Sequence, residues 1–316
     1  MSGGQYQDLI SLLDGDQILL MDGALGTELE RRGVPFEGCG WSAFAVRDHG
    51  STITEVHGDY INVGAKLHIV NSFALGRHVL QPVGLAKEFE QLNRRSVELF
   101  DLAVSNSKQD RREFWVAGSL STFSANSDRS ALPKEEVLWK NYNDQARILF
   151  ESGVDLFALE MLFDSEVTLL MLDAVQQFKL PVIIGITCDW LDSNGTRQVI
   201  GNALGMPPIE LEQILNSILQ SGITQNAILS IMHSEFDVTD AALEIVQRKW
   251  NGPIAIYPNS GEFINLQMQF DSVCSPTAFQ TTAAKWIGSG VNIVGGCCGI
   301  GPSHIQALSS KLNIDI

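Results

Sequence analysis

Val182-Ile183-Ile184-Gly185-Ile186 is a short apolar run, rich in β-branched side chains, that ends at Thr187-Cys188. Its length and composition read as one buried strand. Working outward, seven more such runs occur: Gln17 to Met21, Leu67 to Val70, Phe114 to Gly118, Leu156 to Leu159, Ile228 to Met232, Ile254 to Tyr257 and Asn292 to Gly295. Each alternates with a stretch of helical period; Leu85, Phe89, Leu92, Leu99 and Ala103, for example, share one helix face. Thr52-x-x-Glu55 reads as a capping box opening a helix that Gly64 can close. Ser275-Pro276 reads as N-cap and first residue of another that Gly288 can close, and Pro302 opens the last helix. There is no Gly/Ser-rich linker, low-complexity tract or internal repeat. Eight strands alternating with helices predict an α/β fold, a single-domain (β/α)8 TIM barrel over residues 1–316. The alternative is a doubly wound open sheet, but the first turn, Asp22-Gly23-Ala24-Leu25-Gly26, lacks the third glycine of a dinucleotide fingerprint.

Composition sets further bounds. The 316 residues carry 21 Lys+Arg against 37 Asp+Glu, a net charge of −16, which argues against nucleic-acid and anionic-membrane partners. With 45% hydrophobic and 18% charged residues the chain can bury a large core. The start, Met1-Ser2-Gly3-Gly4-Gln5, has no leader pattern, and no apolar run approaches the ~18 residues of a membrane helix. Five cysteines, Cys39, Cys188, Cys274, Cys297 and Cys298, make a poor disulfide framework and point to a reducing cytoplasm. The pairs Arg31-Arg32, Arg94-Arg95 and Arg111-Arg112 read as solvated surface.

In a barrel, catalytic groups stand where strands end, because all eight strands converge on that rim. The residues ending or following the runs are Asp22, Asn71, Ser119, Glu160, Thr187-Cys188, His233, Asn259 and Cys297-Cys298, all polar or sulfur-bearing. Gly295-Gly296-Cys297-Cys298-Gly299 is the most informative segment: flanking glycines let both sulfurs face one point, where a soft divalent ion such as zinc is the natural occupant. A third ligand must come from elsewhere, either His233 or Cys188; the alternative is that the cysteines only pack. Asp22 and Glu160 suit an ammonium group or a proton, or else cap helices. Phe73, Trp41 and Phe123 are candidates for apolar walls. The chain has no Walker loop, Gly-x-Ser-x-Gly elbow or His-Glu-x-x-His.

Met21-Asp22-Gly23-Ala24-Leu25-Gly26-Thr27-Glu28-Leu29, Trp41-Ser42-Ala43, Val116-Ala117-Gly118-Ser119, Tyr257-Pro258-Asn259-Ser260-Gly261-Glu262 and the double-cysteine block together resemble the homocysteine S-methyltransferases, in the family's order. The resemblance implies a zinc-dependent barrel in which homocysteine binds the metal through its sulfur. That thiolate attacks a methyl group on a small sulfonium or ammonium donor, giving methionine. It implies no catalytic residue beyond the zinc-activated substrate thiolate. Zinc would be held by Cys297, Cys298 and the residue ending the sixth strand. There the family's Ile-Gly-Ile-Asn-Cys reads Leu229-Ser230-Ile231-Met232-His233, so His233 takes the place of a cysteine. Two thiolates, an imidazole and a substrate thiolate around Zn2+ total −1, where three thiolates would give −2, which makes a weaker nucleophile. Lys66 stands where the family tends to carry an acid and Phe123 where it tends to carry Tyr. By the same resemblance Asp22 and Glu160 hold the homocysteine amino group, while Gly23 and the Asn71-Ser72-Phe73 loop meet its carboxylate. Asn259 is taken as a further substrate contact. Chain length resembles the shorter S-methylmethionine-type members, favouring a sulfonium donor. Two alternatives stand: a zinc-less barrel that binds an amino acid or metabolite, and a methyltransferase acting on another thiol or a selenol.

Overall fold

The alternating runs become strands because each carries one apolar set for the barrel interior and another for the helices outside. The computed structural model describes Leu9, residues 11–13, 17–36, Gly38, 40–123, 133–193, 195–201, 207–222, 226–264 and 269–313, with backbone alone for 262–264 and 269–271. Its strands are β1 (Leu19–Leu20), β2 (Leu67–Ile69), β3 (Trp115–Ser121), β4 (Leu156–Leu162), β5 (Val182–Ser193), β6 (Thr196–Gly201), β7 (Ile209–Glu210), β8 (Ala227–Met232), β9 (Ile254–Tyr257), β10 (Glu262–Ile264), β11 (Gln269–Asp271) and β12 (Ile293–Val294). Eight of them pair in parallel in the order β2-β3-β4-β5-β8-β9-β12-β1. A parallel bridge from Met21 to Leu67 joins the two ends of that order. Hydrogen bonds from Asp22 N to Leu67 O and from Lys66 N to Leu20 O, each 2.9 Å, reinforce it. The sheet therefore closes into a (β/α)8 barrel, and the open-sheet alternative falls.

Period-two alternation sorts the side chains. Leu156 and Ala158, Ile183, Ile228 and Met232, Ala255 and Tyr257 belong to one apolar cluster inside the barrel. Phe157, Leu159, Ile184, Leu229 and Ile256 face the helix layer. Leu9 and Leu13 join the interior cluster, and Asn292 Nδ2 donates to Leu13 O at 3.0 Å, so the N-terminal segment plugs the floor.

The helices are α1 (Leu25–Arg31), α2 (Trp41–Asp48), α3 (Gly50–Asn62), α4 (Arg77–Leu80), α5 (Phe89–Ser107), α6 (Glu135–Glu151), α7 (Ser165–Gln176), α8 (Leu211–Gln220), α9 (Phe236–Lys249), α10 (Pro276–Gly288) and α11 (Pro302–Leu312). On α5, Phe89, Leu92, Leu99 and Ala103 are buried as the periodicity predicts, with Phe100 beside them, each large side chain contributing roughly 1.5–3 kcal/mol; Leu85 is buried too but lies ahead of the helix, before a 3-10 turn over Ala86–Glu88. No helix among the described residues is long and apolar enough to cross a membrane.

Several local expectations change. The helix expected to open at Thr52 begins at Gly50, with His49 as N-cap and no side-chain cap, so Thr52 and Glu55 lie inside it; Gly64, at φ +92°, follows its end as expected. Ser275 caps α10 by accepting from Ala278 N, and that helix ends at Gly288 as expected, with Gly290 (φ +98°) turning the chain away two residues later. Strict strand–helix alternation breaks after the fifth barrel strand, where β5 runs on past Cys188 and pairs antiparallel with β6, which pairs with β7. The arginine pairs do more than coat the surface: Arg31 bonds Glu28 at 2.6 Å, Arg95 Nε donates to Val46 O, and Arg111 joins Asp101 and Asp155.

Candidate active site

The last βα turn is held in a cleft that only glycine fits. A Cβ on Gly296 would run into Ile300, and one on Gly299, at φ +83°, into the Ser260 carbonyl. Cys297 N donates to Pro258 O (2.8 Å) and Cys298 N to Asn259 Oδ1 (3.1 Å), so the loop after β9 sets the direction of both thiols. Asn259 thus positions Cys298, and its side-chain oxygen is taken up by that bond.

His233 follows β8 in the left-handed backbone region, φ +47°, with its N–H donating to Tyr257 O at 3.2 Å. That turn aims the ring at the cysteines even though Met232, its neighbour, already faces inward. His233 Nδ1 lies 3.5 Å from Cys297 Sγ and 3.8 Å from Cys298 Sγ, and the two sulfurs are 3.9 Å apart. A tetrahedral zinc site with ordinary bond lengths has N···S edges of about 3.6 Å and S···S edges of about 3.8 Å. The three donors fit such an ion closely. Cys188, the other candidate ligand, faces the helix-side core, where burial pushes its thiol up to about 12. Cys188 is a packing residue whose N–H is held by Ser234 Oγ, which leaves His233 as the third donor.

The acids converge on the same mouth. Asp22 is buried, and its Oδ2 accepts from Ile69 N at 3.0 Å. Burial raises its pKa well above the usual carboxylate range, and the nearby Glu160 charge adds to the rise. Glu160, on β4, accepts from Ser119 Oγ. Burial lifts its pKa to about 7, against the opposing pull of Ser119, Tyr257 and the His233 charge. His233 feels the converse: burial opposes its protonation, yet the Cys297 sulfur and Glu160 leave its pKa raised. The Cys297 thiol is held well up, first by its contact with Cys298 and then by burial.

The remaining predicted residues divide. Gly23 has no room for a side chain, since a Cβ would meet the Ile300 carbonyl and Tyr60. Asn71 Oδ1 accepts from Ser42 Oγ at 2.8 Å, while its buried Nδ2 has no partner. The Ser72 hydroxyl is committed to the backbone of Ser119, donating to its carbonyl and accepting its N–H. Phe73 packs on Phe123, rings tilted with centroids 5.5 Å apart. Trp41 instead stacks on Phe36 at 4.9 Å.

Sequence reasoning missed Tyr257, although its period-two spacing from Ala255 marks it as interior. Its hydroxyl occupies the space left by Gly185, where a Cβ would lie 2.7 Å from it. Also missed was a thioether floor: Thr187 Oγ1 lies 3.3 Å from Met232 Sδ and 3.5 Å from Met161 Sδ, with Met161 turned by a bulge in β4 at φ +59°.

Known proteins share this arrangement of the chain. The sequence model described as Homocysteine S-methyltransferase matches residues 19–312. Homocysteine S-methyltransferase YbgG of Bacillus subtilis (strain 168) is 25% identical, covering 95% of this chain and 96% of its own. Selenocysteine methyltransferase of Astragalus bisulcatus is 28% identical over 92% of this chain and 91% of its own. Among solved structures, the metallated form of the homocysteine methyltransferase MmuM from Escherichia coli superposes with a TM-score of 0.77 at 25% identity, covering 96% of this chain and 99% of that one. The chain belongs to the homocysteine S-methyltransferase family.

Proposed function

We propose that the chain moves a methyl group from a small sulfonium or ammonium donor, sulfonium preferred, to the sulfur of homocysteine, giving methionine. The observation that carries the reading is the convergence of His233 Nδ1, Cys297 Sγ and Cys298 Sγ at zinc-like spacing. Zinc bound by these three residues would supply the Lewis acidity that keeps the substrate thiol ionised at neutral pH. With one imidazole in the set, the loaded site and substrate total −1.

Asp22 and Glu160 hold the substrate ammonium, each as a carboxylate that the cation itself stabilises against burial. The unpartnered Asn71 Nδ2 donates to the substrate carboxylate, with Ser42 fixing the amide orientation and the loop amides near Gly23 completing the contact. The Phe73–Phe123 pair walls the donor side, where an aromatic face and a negatively charged protein both favour a cation. Held in line, the sulfur displaces the donor's thioether or amine, which leaves with the electron pair of the broken bond. No general base is needed at the methyl carbon. We place this activity in one homocysteine-binding barrel domain, residues 1–316, working in the cytoplasm; the four described cysteines, all free thiols, accord with a reducing compartment.

A second acceptor, a selenol such as selenocysteine, is favoured by the likeness to the Astragalus enzyme. The experiment is methionine or Se-methylselenocysteine formation by anaerobically purified, zinc-loaded protein offered a panel of sulfonium and ammonium donors, with Cys298→Ser as control. Turnover with at least one donor, lost in the control, is expected. Zinc bound at the cysteines with no product from any donor and acceptor refutes the reading.

A further inference from the structure

We propose a second metal site, behind the barrel wall, built from Asp22, His57 and His68 and suited to a borderline divalent cation such as Zn2+ or Co2+. His68 lies on β2 with its side chain outside the barrel, next to Leu67, which points in. His57 comes across from α3, and both histidines are fully buried. One ligand atom from each of the three residues lies within 4.8 Å of the others.

The bonds around His68 fix its chemistry. Its Nε2 donates to Ala65 O at 3.0 Å, so the proton sits there and the Nδ1 lone pair faces Asp22 Oδ2, 3.7 Å away. Metal-binding histidines are commonly held in this way, one ring nitrogen anchored on a carbonyl and the other offered to the ion. Neither nitrogen of His57 has a partner, nor has His68 Nδ1, and all three atoms are buried. Phe100 and Phe114 pack around the rings and offer them no hydrogen bond, with Phe100 edge-on to His57 at 5.4 Å. A lone pair and a carboxylate oxygen facing each other in a buried, aromatic-lined pocket are mutually unfavourable unless something positive lies between them. A proton serves poorly: burial drives His57 down to about 4 and His68 well below its ordinary value, so neither ring carries it, and one held by the buried Asp22 carboxyl would face a nitrogen 3.7 Å away, beyond hydrogen-bond length. A cation bound by both imidazoles and the carboxylate satisfies His68 Nδ1 and one of the two His57 nitrogens.

Two imidazole nitrogens and one carboxylate oxygen select zinc-like ions over magnesium or calcium, which prefer oxygen shells. The 3.7 Å edge is a few tenths of an ångström wider than the about 3.3 Å edge of a tetrahedral zinc site with these donors, so loading draws the ligands inward. The bound ion would tie α3 to the first two strands and hold Asp22 ionised at the rim. The site stands whether or not the chain turns over homocysteine.

The test counts ions spectroscopically. Apoprotein is loaded anaerobically with Co2+, passed over a chelating resin and examined by native mass spectrometry and absorption. Wild type should hold two ions per chain. A chain with His233→Ala, Cys297→Ser and Cys298→Ser should hold one, with d–d bands and no thiolate charge-transfer band. His68→Leu in the wild-type background should fall from two ions to one and keep the thiolate band. A single ion in wild type that carries the thiolate band, no ion in the triple variant, or two ions in His68→Leu overturns the proposal. Because the wild-type count needs no substitution, it decides the matter even if a variant does not fold.

Discussion

Glu160 carries a measurable stability penalty, and Glu160→Gln removes it. The carboxyl ordinarily titrates at 4.5 and here at about 7, chiefly because burial disfavours its charge. The folded protein therefore holds a proton that the unfolded chain releases between those two values, so folding stability falls as pH rises through that window. Below about 4.5 there is no penalty, and above about 7 it is complete. Ionising a carboxyl held that far above its ordinary value costs about 3 kcal/mol of folding stability. Gln keeps an oxygen that accepts from Ser119 Oγ, so that contact survives while the charge does not. The assay is urea unfolding of metal-free wild type and Glu160→Gln at half-unit steps from pH 4.5 to 8. The variant's curve should part from wild type as pH rises and lie about 3 kcal/mol above it at pH 8. The same variant should bind homocysteine less well, having lost a carboxylate for the ammonium. Stability curves that stay parallel across the window would refute the reasoning.

The geometry carries two more expected outcomes. Asn259→Ala leaves the buried Cys298 N–H without an acceptor; the metal-free loop can relax toward water but the loaded one cannot, so affinity at the cysteine site should drop roughly 10–100-fold in a chelator competition. Gly185→Ala places a methyl 2.9 Å from the Leu159 carbonyl and 2.7 Å from the Tyr257 hydroxyl, so it should destabilise by about 1–3 kcal/mol in thermal or urea unfolding and raise the KM for homocysteine through Tyr257 and Glu160.

The site was legible where chemistry sits at a strand end. Asp22, Glu160, His233 and the cysteine pair all stand at or just beyond the close of an apolar run, and that position alone singled them out. Asn259 stands at a strand end too, and Ser72 is implied by the family resemblance, yet the structure commits their side-chain oxygens to backbone N–H groups of Cys298 and Ser119. Rim position says that a side chain is near the mouth, and only its hydrogen bonds say whether it remains available. Thr52 shows the limit of a local pattern from the other side: a sound capping sequence was bypassed because the helix had begun at Gly50.

By itself the sequence determined the closed parallel barrel and the ring of polar residues at its mouth, because period-two strands and helical faces are local properties written in consecutive residues. Tertiary structure alone decided which sulfur and nitrogen atoms share a point. His233 reaches the cysteines through a left-handed backbone turn, while Cys188 turns into the helix layer. His57 and His68 meet Asp22 from an α-helix and a strand with no spacing that announces it. Such convergence depends on chain directions set by packing between distant segments, and no short stretch of residues encodes it.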